Sequence, residues 1–245
     1  MVRISFDMDG VLADMDAALA AIAEQEFGVS IRKSAPKDEP AAVVADAAPP
    51  ETSAANAVPE PSSAAVLSSL SPRQQTRVWE RVATTRNFWE TLGEHEPGTV
   101  RHLQKLAHEL RWDVIFVTQR PGAAGRTVQL QTQRWLRNHG FEYPSVYTTQ
   151  GSRGRIAEAL TLDAHVDDRL DHCVDVSTDS KTWPILVWRD PDSYARVSSG
   201  GKKINIAVVR TVREAIDRVE EADRGGTAQK RTTSLLERLK RSFGQ

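Results

Sequence analysis

The chain has 245 residues, enough for one α/β domain with an insertion and a sizeable buried core. Its 32 lysines and arginines nearly balance 33 aspartates and glutamates, so nothing global points to a nucleic acid polymer or an anionic membrane as partner. A single cysteine, Cys173, excludes an internal disulfide, and no apolar run is long enough to span a bilayer; with Asp7 and Asp9 interrupting any signal-peptide layout, the sequence reads as a cytoplasmic protein.

In chain order, Val2 to Phe6 reads as a short strand running into Asp7. Met15 to Phe27 has a helical pattern, with Asp14 placed to cap it and Gly28 to end it. Residues 34–70 are rich in Ala, Pro, Glu and Ser, and Pro36, Pro40, Pro49, Pro50, Pro59 and Pro61 interrupt any helix. That stretch is expected to be a mostly disordered loop. Ser71-Pro72-Arg73-Gln74 is a capping box with proline at the first helical position, opening a helix to about Ala83.

From Gly98 onward helix and strand alternate. Val100, Leu103, Leu106, Ala107 and Leu110 share a helical face; Asp113–Val117 is a strand. A helix is expected over about Ala123–Asn138, a strand over Ser145–Tyr147 and a helix over Arg153–Leu160. Ala164-His165-Val166 leads into Asp167-Asp168, and strands follow at Ile185–Trp188 and Asn205–Val209. Thr211 can cap a last helix ending near Asp223. Alternation of this kind predicts an α/β fold, a parallel sheet with helices on both faces.

In open α/β sheets, ligands bind beyond the carboxyl ends of the strands. Asp7 and Asp9 follow the first strand, Thr118 follows the second long strand, and Asp167-Asp168 follow a third, so the fold gathers them on one edge. Asp7 and Asp9, two apart in extended chain, share a face, and Gly10 permits a sharp turn beside a ligand. Clustered carboxylates need a cation or a shared proton, and an oxygen-only set suits Mg²⁺.

Asp7-Met8-Asp9-Gly10-Val11-Leu12, Val117-Thr118, Arg153-Gly154 and Val166-Asp167-Asp168 resemble the four ordered motifs of the haloacid dehalogenase-like (HAD) phosphohydrolase superfamily, most closely its 5′-nucleotidase/deoxyribonucleotidase-like group. The likeness covers residues 1–15 and 97–210. It implies a Rossmann-like core formed by 1–14 and 97–223, a helical cap inserted as 15–96, and a magnesium-dependent phosphatase acting on a small phosphate monoester through an aspartyl-phosphate. By the same resemblance Asp7 is the nucleophile and Asp9 the acid and base. Thr118 and Arg153 hold phosphate, and Asp7, Asp9, Asp167 and Asp168 form the metal site. The superfamily usually has lysine where Arg153 stands, with Arg155 the neighbouring candidate. The competing expectation is a catalytically weak phosphate-binding or interaction protein that keeps the fold.

Other residues carry weaker signals. Gln119 and Arg120 follow Thr118, so either is placed to meet substrate, though loop chemistry explains both. Trp79, Phe88 and Trp89 suit packing of the insertion better than stacking on a base. His172 and Cys173 read as structural, without a partner. The tail 224–245 carries six basic residues against Glu237, and reads as a solvated terminus.

Overall fold

The computed structural model describes residues 2–28 and 67–225. Most of the expected 34–70 loop and all but the first two residues of the basic tail lie outside the described residues.

Six parallel strands form one sheet in the order β3-β2-β1-β4-β5-β6. They are β1 (Arg3–Phe6), β2 (Asp113–Thr118), β3 (Ser145–Thr148), β4 (Ala164–Asp167), β5 (Trp183–Val187) and β6 (Ala207–Val209). Strands β1, β2, β4 and β5 are largely buried on both faces because helices cover both, the pattern of a parallel sheet, although Ser5, His165 and Asp167 put polar groups on one buried face. The chain runs outward from β1 to β2 and β3 on one side, then returns to place β4 against the other. The order therefore reverses between β1 and β4, and a crevice opens at their carboxyl ends. Register places Phe6 level with both Phe116 and Val166, so Asp7 lies level with Val117 and Asp167, one residue before Thr118 ends β2.

The first two helices follow the sequence closely. Helix α1 (Met15–Phe27) is capped by Asp14, whose Oδ1 accepts from the Ala17 amide at 3.0 Å, and stops at Gly28 in the left-handed region, φ 65°. Helix α2 (Pro72–Thr84) starts with the Ser71/Gln74 capping box. Glu26 near the end of α1 faces Arg77 and Arg81 of α2, at 3.6 and 3.8 Å, so these two helices lie side by side. Leu67 and Leu70, at the end of the expected loop, pack against the main core, with Leu70 fully enclosed.

After a 3₁₀ turn at Phe88–Glu90 come α3 (Thr99–Leu110) and α4 (Val128–Asn138). Helix α4 begins five residues later than the pattern suggested, because the Thr127 hydroxyl caps it by accepting from the Leu130 amide. Helices α5 (Arg153–Ala159), α6 (Leu170–Asp179), α7 (Pro191–Lys203) and α8 (212–225) complete the fold. The core runs from Ile4 and Phe6 through Leu103, Phe116, Trp135 and Ile185 to Ile216. Trp135 is enclosed and its indole N–H donates to the Leu92 carbonyl at 2.7 Å, so it anchors α4 to the segment before α3. Truncating such a residue to alanine typically costs about 3–5 kcal/mol. Among the described residues no helix is long and apolar enough to cross a membrane.

Candidate active site

Asp7 is buried at the carboxyl end of the central strand, its amide still bonded to the Val166 carbonyl at 2.9 Å. Its Oδ2 accepts from the Asp9 amide at 3.1 Å, and its Oδ1 accepts from Arg153 Nη2 at 3.0 Å. Arg153 sits in the first turn of α5, whose N-terminus is fixed by two contacts: the Ser152 hydroxyl accepts from the Arg155 amide, and Asp175 accepts from the Gly154 amide and the Ser152 hydroxyl. Gly154 belongs there because a Cβ would lie 2.4 Å from the Asp175 carbonyl oxygen. Arg155, by contrast, is exposed. Neighbours two apart on a helix point apart, so only Arg153 reaches the cluster.

The turn after β1 is set by Gly10, at φ 76°. A Cβ at that position would fall 2.0 Å from Asp168 Oδ2, so only glycine admits the carboxylate against the loop. Arg189, just beyond β5, donates to the Gly10 carbonyl and pairs with Glu96 at 3.0 Å, which pins the loop from outside.

The two carboxylates after β4 differ in surroundings. Asp167 is fully enclosed and saturated: Oδ2 accepts from His172 Nδ1 at 2.9 Å and His165 Nε2 at 3.1 Å, and Oδ1 accepts from the Arg169 amide at 2.9 Å. With Nε2 donating, His165 Nδ1 is left to accept from the Ser5 hydroxyl at 2.7 Å. Arg153 Nε stands 3.8 Å from the same Oδ2. Burial pushes Asp167 upward, but its bonds to His165 and His172 outweigh that and hold it well below the usual carboxylate range. Burial works against the His172 cation too, yet the bond to Asp167 raises its pKa overall. His172 therefore does have a partner, contrary to the sequence expectation. For His165 a local signal was present, since it and Asp167 are two apart on one strand and share a face; His172, five residues beyond Asp167, had none.

Asp168 is buried and its Oδ2 has no hydrogen-bond partner. Burial first, then the charges of Asp167 and Asp7, push its pKa well up. Asp7 is pushed up to about 7 by burial and by Asp167, against the lowering effect of Arg153. Both shifts describe acids forced together without enough positive charge. In this cluster three further buried polar atoms find no hydrogen-bond partner among the described residues: Thr118 Oγ1, Arg153 Nε and Arg153 Nη1. Thr118 ends β2, one strand over from Asp7, so hydrogen-bond donors for an anion and an acceptor for a cation flank the same carboxylate.

Asp9 is held differently. Both its oxygens lie in the fork of Arg120, with Nε–Oδ2 at 2.7 Å and Nη2–Oδ1 at 2.6 Å. Arg120 is itself buried; Nη1 donates to the Thr132 hydroxyl at 2.9 Å, and the guanidinium lies 4.8 Å from the ring centre of Trp89. Sequence reasoning left Arg120 undecided, and no local pattern links it to Asp9, which is 111 residues away. Gln119 is exposed and donates to Gln150 at 2.8 Å, so its amide is engaged outside the cluster.

Among the described residues no three His, Cys, Asp or Glu side chains form a cage for a metal ion. That does not exclude Mg²⁺, which is commonly held by one or two carboxylates together with water and substrate phosphate. The unpartnered Asp168 oxygen and the raised pKa of Asp7 fit a cation between them. The Asp9 side chain is occupied by Arg120 and Asp167 by its histidines, so these two fit less well as direct side-chain ligands.

No protein family and no curated protein matches the chain in sequence. Solved structures match in shape. A protein from Thermotoga maritima that carries a β-phosphoglucomutase name is 16% identical with a TM-score of 0.50, over 90% of this chain and 99% of its own. A HAD family hydrolase from Deinococcus radiodurans, solved with phosphate and sodium, is 14% identical with a TM-score of 0.49, over 90% and 95%. A phosphonoacetaldehyde hydrolase-like protein from Oleispira antarctica is 10% identical with a TM-score of 0.47, over 91% and 93%. At such identities the likeness concerns the fold, and the chain has a Rossmann-like, HAD-like α/β fold.

Proposed function

We propose that this protein is a magnesium-dependent phosphatase that hydrolyses a small phosphate monoester, a 5′-nucleotide among the candidates, through a phosphoryl group carried on Asp7. One observation carries the reading: unpartnered buried donors on Thr118 and Arg153, and an unpartnered acceptor on Asp168, surround one buried carboxylate at the switch point of the sheet. Core packing alone does not explain four polar atoms left without partners, because each costs about 1–3 kcal/mol.

In this reading the Thr118 hydroxyl and the Arg153 guanidinium bind the phosphate oxygens and aim phosphorus at Asp7. Arg153, already bonded to Asp7 Oδ1, holds the attacking carboxylate in place. Asp7 attacks, and the ester oxygen departs with a proton from Asp9. Asp9 then takes a proton from water, which attacks the acyl-phosphate and returns Asp7 to its carboxylate. Asp7, Asp168 and the Asp9 carbonyl would hold Mg²⁺, with Asp167 in support; the ion would supply charge neutralisation for the transferring phosphoryl group. Placing fixed charges where negative charge develops is commonly the largest part of such catalysis.

The second reading, a phosphate-binding protein with weak turnover, is favoured by the Arg120 fork, which occupies both oxygens of Asp9. Turnover separates the two. Purified protein is to be assayed against nucleotides, sugar phosphates and p-nitrophenyl phosphate with and without Mg²⁺, beside Asp7→Asn. Metal-dependent phosphate release that vanishes in Asp7→Asn supports the enzyme; phosphate binding without release supports the second reading.

A further inference from the structure

We infer that Arg120 is a positioning residue for Asp9, and that Trp89 and Thr132 hold it to that task. The inference rests on the phosphatase reading and adds to it a residue on which the placing of the second carboxylate depends.

The contacts are specific. A planar guanidinium meets a carboxylate edge to edge through two N–H groups, which fixes both the distance and the rotation of the carboxylate. The remaining freedom of Arg120 is removed by its own supports. Thr132, on α4, accepts from Nη1, and its hydroxyl in turn donates to the Val128 carbonyl. Trp89 offers its ring face, and that ring is fixed by two bonds: its indole N–H donates to the Pro121 carbonyl at 3.1 Å, and its amide donates to Gln131 Oε1 at 3.1 Å. Three separate parts of the chain thus converge on one cation: the loop after β1, the turn carrying Trp89, and α4.

Stability does not account for this arrangement. A buried ion pair commonly contributes no more than a well-packed apolar pair of the same volume, because both charges lose their water. A methionine at position 120 with alanine at position 9 would fill the space without that desolvation. What the apolar pair would lack is a carboxylate fixed beside Asp7. Without Arg120, Asp9 would be free to turn about its side-chain bonds. A displacement of about 1 Å at a catalytic group can cost about 10²-fold in rate.

The test is a double-mutant cycle on Arg120 and Asp9 with p-nitrophenyl phosphate and Mg²⁺, with inorganic phosphate binding measured by calorimetry. Arg120→Met is expected to lower kcat about 10²-fold. KM, phosphate affinity and binding stoichiometry should stay within about threefold, because Thr118 and Arg153 are untouched; unchanged stoichiometry shows that the protein has not simply unfolded. Arg120→Lys, which keeps the buried charge but loses the fork, should show the same split. Asp9→Ala should lower kcat further, and adding Arg120→Met to it should change kcat less than threefold, since a residue acting only through Asp9 has nothing left to act on. Losses that multiply in the double variant, wild-type kcat in Arg120→Lys, or a kcat that rises in Arg120→Met because the fork had withheld Asp9 from the reaction, overturn the inference while leaving the phosphatase intact. Turnover that survives Asp7→Asn overturns the phosphatase reading, and this inference with it.

Discussion

Replacing Asp7 by asparagine tests the electrostatics of the site without relying on turnover. The Asp7 carboxyl is enclosed, and its pKa is raised from 3.8 to about 7 by burial and by Asp167. Three units at about 1.4 kcal/mol each mean that keeping Asp7 ionised in metal-free protein at pH 8 costs about 4 kcal/mol. Because the folded value lies above the unfolded one, the stability is fully present below about pH 4 and is lost as pH rises through about 7. Asparagine has nearly the same shape and carries no charge. The attraction of Arg153 is already contained in that raised pKa, so the net gain at pH 8 is about 4 kcal/mol. For a domain of this size that raises Tm by about 8–16 °C. At pH 5 Asp7 is already protonated in the wild type, and asparagine should give no gain or a small loss. The assay is thermal unfolding of both proteins in EDTA at pH 5 and pH 8. A Tm difference that is the same at both pH values would refute the argument that Asp7 is an electrostatically frustrated carboxylate.

Three further outcomes are expected. Mg²⁺ should raise the Tm of the wild type at pH 8 and restore activity lost in EDTA, and Asp168→Asn should weaken both effects; a metal response unchanged in that variant would remove Asp168 from the site. Arg153→Ala should lower kcat about 10²–10³-fold, the usual effect of losing one donor to developing charge, whereas Arg155→Ala should leave it within about twofold; steady-state assays of the two variants decide. Gly10→Ala should cost more than about 2 kcal/mol in denaturant melts, because its φ of 76° is strained for alanine and the new methyl meets Asp168 Oδ2 at 2.0 Å.

The sequence made the sheet and its edge legible because local patterns suffice for them. Short strands leading to Asp7, Thr118 and Asp167 need only their local pattern and the crevice rule, and the register then sets the three within one residue of the same height. Helices α6 and α7 were both absent from the sequence reading, α7 although Asp190 and Pro191 are a ready start signal. Gly200 and Gly201 hid it, and Gly201 is there for packing: a Cβ would lie 2.8 Å from the Ile206 carbonyl oxygen. The partner of Asp9 was illegible for a different reason. The Arg120 fork joins residues 111 apart, and nothing in either neighbourhood encodes the pairing. Leu67 and Leu70 fell inside a stretch whose composition argued for disorder, yet two bulky side chains at its end are enough to dock it.

The side-by-side placing of α1 and α2 bears on the part of the chain between them. Phe27 and Leu67 pack against the same core, and Glu26 reaches Arg77, so the stretch 29–66 departs from and returns to neighbouring points. The pairing of α1 with α2 thus fixes where whatever lies between them must leave and rejoin the fold.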